Sequence, residues 1–396
     1  MSPEDLLFVV LGNAPYRAVI RTSKQMVAAQ IARRHPVLYV EPPPLTLDPL
    51  VKPAERGRYF DWRKGVQRLG AGEPLVVCPP PFRQALDTRW RFLDDWNQRR
   101  LGRFVEKTLA GFAYRKLVLI SFVYNAAHVA DIVRPDLFVY YCIDLFSEIR
   151  IPYANPRTVE RIEDETIRRA DVIFAISRAL TERLTARHPH VHYAPHGVDY
   201  DLFARAAQAG DEPADLANIP RPRIGFVGVL AHWLDYSLLT ALARNHREWR
   251  FCFVGPVGPH VEIEPLRAEP NIHLLGERTR DQVIDYLRGF DVCLVPFLRN
   301  ELTIHANPLK VYEYLAAGRP VVSTPLPEIE NFAPPVRIAR DVAEFERAIA
   351  ELLAQRDGDN TRRSMEIAAG LSWDKRVAET LQTIYDQLGF SARTSR

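Results

Sequence analysis

His305–Thr324 reads HANPLKVYEYLAAGRPVVST, and the rest of the chain is interpreted outward from it. It divides into a loop, a helix starting at Pro308, a stop at Gly318 and a short apolar strand, Val321–Thr324. Proline near the first helical position and glycine just past the last turn are the expected punctuation of a helix. A helix N-terminus carries N–H groups without intrahelical partners and the positive end of the dipole, which suits a phosphate. Lys310 falls in the first turn, where the dipole prefers acids. A cation set against that preference implies an anion nearby. Glu313 falls in the next turn, where a carboxylate can accept both hydroxyls of a ribose.

The same alternation runs through the chain. Leu6–Leu11, Val37–Val40, Leu75–Cys78, Leu117–Phe122, Leu137–Ile143, Val172–Ile176 and Val191–Ala194 are short continuous apolar runs. Such runs mark parallel strands buried on both faces. A helical stretch fills Arg21–Arg34. Residues 204–222, rich in Ala, Pro, Gly and acids, have no apolar period and are expected to be a linker. A second series follows: strands Ile224–Leu230, Phe251–Val254, Ile272–Leu275, Val292–Val295 and Val321–Thr324, with helices Tyr236–Asn245, Thr279–Gly289 and Pro308–Ala317. The tail reads as helices Val342–Leu353, Thr361–Ala369 and Trp373–Leu388. Two such series predict an α/β protein of two doubly wound, Rossmann-like domains facing a cleft. The expected division is 1–203, a linker 204–222, a second domain 223–371, and a terminal helix 372–396 crossing back to the first.

Composition agrees with two domains. The chain has 396 residues, 47% hydrophobic and 26% charged, which excludes a wholly disordered protein. Its four cysteines, Cys78, Cys142, Cys252 and Cys293, form no C-x-x-C pair and are read as small buried hydrophobes of a reducing compartment. Glu4 and Asp5 precede a short apolar run, so a secretory leader is not expected, and no apolar run is long enough to span a membrane. A cytoplasmic location follows. Net charge is +3, but residues 1–200 carry +7 and the remainder −4. Most of the excess lies in residues 51–116, which suggests an anionic partner. There Leu93, Trp96, Leu101, Phe104, Val105, Leu109 and Phe112 recur at helical spacing, beside Arg99, Arg100, Arg103 and Lys107. This helix is expected to pack its apolar stripe on the sheet; a membrane-surface position is the alternative.

Glu313–Thr324, EYLAAGRPVVST, resembles the donor-site helix of GT-B glycosyltransferases, especially the large family 4 group of bacterial sugar transferases. Ala194–Phe203 (APHGVDYDLF), Phe253–Pro256 (FVGP), Asn271–Pro296 and Leu371–Lys375 (LSWDK) resemble further segments of that group in the same order. The likeness covers residues 170–385 well and the earlier ones loosely. It implies a GT-B fold and sugar transfer from a nucleotide diphosphate sugar, with UDP favoured, to a hydroxyl of a glycan or lipid-linked acceptor. Retention of anomeric configuration and independence of metal or other cofactor are implied as well. Donor-binding residues would be Gly228, Gly255, Gly276, Glu277, Arg278, Asn307, Pro308, Leu309 and Glu313.

Two departures stand out. The family pattern pairs Glu313 with a glutamate eight positions earlier, where this chain has His305. The family also places an arginine and a Lys-Gly after the first strand of the donor domain, where this chain has Gly228–Asp235, GVLAHWLD, with only His232 as a basic candidate. The diphosphate must then be met by Lys310, with Arg278 and Arg299 as further candidates. His305, Lys310 and Asp144, which follows the Leu137–Ile143 run, are the candidate catalytic residues. On the acceptor side, Gly12, Asn13, Arg17 and Arg21 follow the first strand, where loops at strand ends line binding crevices. The basic first half, with Trp62, Trp90 and Trp96 among arginines, suits peripheral association with the anionic inner face of the plasma membrane. His128 is read as an ordinary helix residue. Asp94–Asp95 and Asp357–Asp359 do not form a metal site, and no nucleic-acid motif accompanies the charge. The rival functions are a 2-epimerase acting on nucleotide sugars and a non-catalytic nucleotide-sugar-binding protein.

Overall fold

A computed structural model describes residues 6–18, 21–44, 67–68, 74–84, 91–149, 155–259, 261–355 and 358–390. Glu4, Asp5, Trp62, Trp90 and Asp357 lie outside the described residues. The chain divides into two compact units, Met1–Pro195 with Arg376–Arg396, and His196–Lys375.

The first unit is built on β1 (Leu6–Leu11), β2 (Val37–Val40), β3 (Gln67–Arg68), β4 (Leu75–Cys78), β5 (Lys116–Ser121), β6 (Leu137–Cys142), β7 (Val172–Ala175) and β8 (Val191–Tyr193). They form one sheet in the order β3-β4-β2-β1-β5-β6-β7-β8. All pairs are parallel except the two-residue β3, which runs antiparallel on β4. Every residue of β1, β2, β4, β6 and β7 is buried, so both faces are covered by helices. The continuous apolar runs reflect that burial.

The second unit has β9 (Arg223–Val227), β10 (Arg250–Val254), β11 (Ile272–Gly276), β12 (Val292–Val295), β13 (Val321–Ser323) and β14 (Val336–Ile338). Their order is β11-β10-β9-β12-β13-β14, all parallel. The order reverses direction beside β9, so a switch point falls between β9 and β12, where open α/β sheets bind ligands. All four cysteines are buried and unpaired.

Two expectations need correction. Residues 204–222 do not form a free linker: Ala206, Leu216 and Ile219 are buried in the second unit's core, and Glu212 pairs with Arg221 and Arg223. Three isolated apolar residues leave no period in the sequence yet suffice to pin the segment. The basic helix, Arg91–Leu109, is also turned differently from its expected apolar stripe. It buries Asp94, Asn97, Gln98, Gly102, Val105 and Leu109, while Phe92 and Trp96 stand 67% and 51% exposed. Buried polar partners decide this. The Asn125 side-chain amide donates to Asp94 Oδ1 at 2.6 Å, and the His128 N–H to Gln98 Oε1 at 3.0 Å. His128 sits in helix Ala127–Val133 beside Asp95 and Asp131, as an ordinary helix residue.

Candidate functional site

In the second unit, three neighbouring strands end on glycine. Gly228 and Gly255 follow β9 and β10, and Gly276 closes β11. The Gly228 N–H donates to the Val254 carbonyl and the Gly255 N–H to the Gly276 carbonyl, each at 2.8 Å. Gly228 and Gly255 have φ of +152° and +147°, which side-chain-bearing residues rarely adopt. A Cβ on Gly255 would stand 2.0 Å from the Gly228 carbonyl oxygen; one on Gly228 would stand 2.7 Å from Lys310 Cε. The strand ends are therefore bare backbone, with the Lys310 stem lying over Gly228.

The helix Leu309–Ala316 is seated on this edge by Val311, Tyr312, Tyr314 and Leu315, all buried. The Tyr314 hydroxyl accepts the Val227 N–H at 2.8 Å, tying the helix to the last residue of β9. Burial pushes the Tyr314 phenol well above its ordinary range, so it stays protonated. At the other end Pro308 is the N-cap; no side chain caps the helix, and its first turn has no acid. By contrast, Asp235, Thr279, Asn300 and Asp341 each accept an N–H of the helix they begin. Lys310 Nζ stands 3.7 Å from Glu313 Oε2, and both side chains remain partly exposed. Gly228, Gly255, Lys310 and Glu313 thus converge on one edge. Asn307 and Pro308 are buried at the helix start, and Leu309 is partly buried.

Other candidates are placed differently. His305 caps the short helix Glu301–Ile304, its Nδ1 2.8 Å from the Glu301 carbonyl oxygen. A carbonyl only accepts, so Nδ1 is the donor in this contact. Arg278 is held by neighbours of its own unit. Its guanidinium donates to Asp215 Oδ2 and to the Tyr286 hydroxyl, both at 2.7 Å, and to the carbonyl of exposed Glu277. Asp215 lies far earlier in the sequence, inside the expected linker, so spacing gave no sign of this pair. Arg299 is exposed. The loop Gly228–Asp235 lacks the family's cations but is held firmly. The Leu230 N–H donates to Pro256, Leu298 N–H to Trp233 and Asp235 N–H to Pro296, at 2.8–2.9 Å.

The carboxyl edge of the first unit is more crowded. A Cβ on Gly12 would meet the Tyr39 hydroxyl at 2.1 Å, so this glycine makes room for Tyr39. Tyr39 donates to the Ala14 carbonyl and the Tyr16 N–H donates to Glu41, both at 2.8 Å. Asn13, Arg17 and Arg21 are exposed, with the Arg21 guanidinium 5.5 Å from the centre of the Tyr16 ring. Asp144 follows β6 and is partly buried; desolvation raises its carboxyl to about 6, against the pull of Lys24. Lys24, in the first turn of helix Ser23–Ala32, is only 8% exposed. Its ammonium is lowered to about 8 by burial, against the attraction of Asp144. Lys24 was not among the sequence candidates. Ser23, Lys24 and Gln25 are all buried, and a polar triplet gives no sequence signal for that.

Comparison with known proteins identifies the class. Residues 221–355 match the model of the family described as glycosyl transferases group 1. The chain is 29% identical over 257 residues to TuaH of Bacillus subtilis, named as a teichuronic acid biosynthesis glycosyltransferase; the match covers 60% of this chain and 64% of TuaH. It therefore spans just under two thirds of that relative. Among solved structures, sucrose-phosphate synthase from Thermosynechococcus elongatus superposes with a TM-score of 0.72 at 14% identity, over 97% of this chain and 100% of that one. Anabaena HepE, in complex with UDP-glucose, superposes with a TM-score of 0.64 at 15% identity, over 95% and 99%. The fold is GT-B. Residues 221–355 are similar to the group 1 glycosyltransferases.

Proposed function

We propose that this protein transfers a sugar from a nucleotide diphosphate sugar, with UDP as the favoured nucleotide, to a hydroxyl of a glycan or lipid-linked acceptor in cell-surface polysaccharide synthesis. The observation that carries this reading is the convergence of Gly228, Lys310 and Glu313 at an uncapped helix start within the segment similar to the group 1 glycosyltransferases. HepE in complex with UDP and with UDP-glucose, and the teichuronic acid assignment of TuaH, support the nucleotide and the pathway class.

In this reading Glu313 accepts the ribose hydroxyls. The diphosphate lies against the bare ends of β9 and β10, the helix start and Lys310. As the glycosidic bond breaks, negative charge grows on the leaving diphosphate. The helix dipole and the Lys310 ammonium oppose that charge without reorganising, which is the usual source of such rate enhancement. His305 takes the position of the family's first glutamate, with its Nδ1 held by the Glu301 carbonyl. Asp144, whose carboxyl is ionised above about pH 6, receives the acceptor hydroxyl's proton or orients that hydroxyl. Neither role calls for a metal, and retention remains the stereochemical expectation of the family.

The acceptor proposal includes an anionic membrane surface. Helix Arg91–Leu109 presents Phe92 and Trp96 outward together with Arg99, Arg100, Arg103 and Lys107. An aromatic and cationic face of this kind is the composition of an interfacial helix. Among the described residues no helix is long and apolar enough to cross a membrane.

The test is calorimetry and thermal shift with UDP, GDP, ADP and dTDP on the wild type and Glu313→Ala. A ligand at 100 times its Kd stabilises the fold by about 2.7 kcal/mol. UDP is expected to give that shift, and Glu313→Ala to abolish it. A donor that binds but is isomerised without transfer would install the epimerase reading, and one that binds without any turnover the binding-protein reading.

A further inference from the structure

Along a parallel strand, alternate residues turn their N–H and C=O groups to one neighbouring strand and then to the other. In the second unit the Gly228 N–H donates to Val254 of β10, so the preceding Val227 turns its groups toward β12, on the other side. β9 pairs with β10 as far as Val227, but its pairing with β12 covers only Ile224 and Gly225. The two strands therefore part before Val227, at the switch point, and a side chain from the helix Leu309–Ala316 enters the gap. The Tyr314 hydroxyl accepts the Val227 N–H at 2.8 Å and donates, at a long 3.5 Å, to the Val227 carbonyl. It thus meets both groups that β12 leaves. Tyr314 is fully buried, where an N–H deprived of its acceptor would be costly.

Lys310 and Tyr314 stand four positions apart and so share one face of this helix. That face lies over the end of β9, with Tyr314 on Val227 and the Lys310 stem over Gly228, the next residue. Of the two contacts only the hydroxyl's has a set length and direction. The lysine stem is flexible and takes its place from the helix that carries it. We propose that Tyr314 is a positioning residue of the donor site: its hydroxyl, inserted where β9 and β12 part, fixes the helix against the strand ends and so places the Lys310 ammonium for the phosphates. Lys310 meets the diphosphate in the transferase reading, on which this role rests. A phenylalanine would fill the same space in the core but would leave the Val227 N–H unmet and the helix untied.

The experiment is a double-mutant cycle on the full chain, read by calorimetry with UDP and with uridine on the wild type, Tyr314→Phe, Lys310→Met and the double variant. Tyr314→Phe is expected to weaken UDP by about tenfold, the scale of one bond to a charged group, and to leave uridine within about twofold. With Lys310→Met already in place it is expected to weaken UDP by less than about threefold further, because the group that it positions is gone. Loss of a merely structural tyrosine would weaken both ligands alike and would add in full to Lys310→Met. Either of those results, or UDP binding by Tyr314→Phe equal to wild type, overturns the proposal. If Tyr314→Phe fails to fold, 3-fluorotyrosine placed at position 314 alone carries the test. Its fluorine resonance is expected to shift with UDP, and to shift much less once Lys310→Met is added. A resonance that UDP moves equally in both backgrounds, or in neither, overturns the proposal as well. Should GDP, ADP or dTDP bind in place of UDP, the cycle is run with that nucleotide and its nucleoside. If the wild type binds none of the four, the transferase reading itself falls, and this role with it.

Discussion

The carboxyl edges of the two sheets occupy equivalent places in their units and are built in opposite ways. In the second unit the strands end on glycines whose N–H groups donate to the carbonyls of the neighbouring strand, leaving a backbone floor with a lysine and a glutamate above it. In the first unit Tyr39, Tyr16, Glu41, Lys24 and Asp144 fill the corresponding space. The difference teaches what each edge can do. Bare backbone beside a helix start can surround a group that is all acceptors. A crowded edge with a half-desolvated acid and amine can hold a proton near neutral pH.

Substitution at Gly255 is the strongest attack on this contrast. Gly255→Ala combines positive-φ strain with a clash against backbone and is expected to cost about 3 kcal/mol or more, read by urea unfolding. Gly12→Ala, which meets only the Tyr39 side chain at an ordinary φ, is expected to cost less, in the range of about 1–3 kcal/mol of overpacking. Equal costs would erase the distinction between the two edges. Next comes Lys310→Met, expected to weaken UDP by about tenfold or more while leaving uridine unchanged, because only the diphosphate loses a charged partner. Equal losses for both ligands would place Lys310 away from the phosphates.

Titration at the first edge sharpens the comparison further. The Asp144 carboxyl is raised to about 6 from an ordinary 3.8, so its contribution to stability is intact at low pH and is lost as pH rises through about 6. Lys24 is lowered to about 8 from 10.5, so its contribution is intact at high pH and is lost as pH falls through about 8. Between those values both are charged and attract each other. Lys24→Met removes that attraction and is expected to move the acid limb of the rate profile upward from about pH 6. An unmoved limb would dissociate Lys24 from the titrating group. The smallest effect on the fold is expected from Phe92→Ala with Trp96→Ala. Both side chains are exposed, so stability should stay within about 0.5 kcal/mol. Salt-sensitive binding to phosphatidylglycerol vesicles should be lost, and vesicle binding by the double variant equal to wild type would remove the membrane proposal.

The parallel core was legible in the sequence because strands buried on both faces leave continuous apolar runs, and twelve of the fourteen strands among the described residues follow from them. The two that do not are β3, with two residues, and β14, Val336–Ile338, whose central Arg337 interrupts the apolar run. The helix after Pro308 was legible because its proline, lysine, glutamate and glycine are local signals. The Arg278–Asp215 pair was not legible, because the two residues are close only in the folded chain.

The sequence by itself determined the two α/β series, the group 1 likeness and the Lys310–Glu313 helix, since each depends on residues within a few positions of one another. Only the tertiary structure decided which face of Arg91–Leu109 points outward, that residues 204–222 pack into the second unit, and that Lys24 stands near Asp144. Those outcomes depend on polar groups that found buried partners across long stretches of chain. Hydrophobic periodicity carries no record of such partners, because it registers what must leave water and not what a buried polar group will meet.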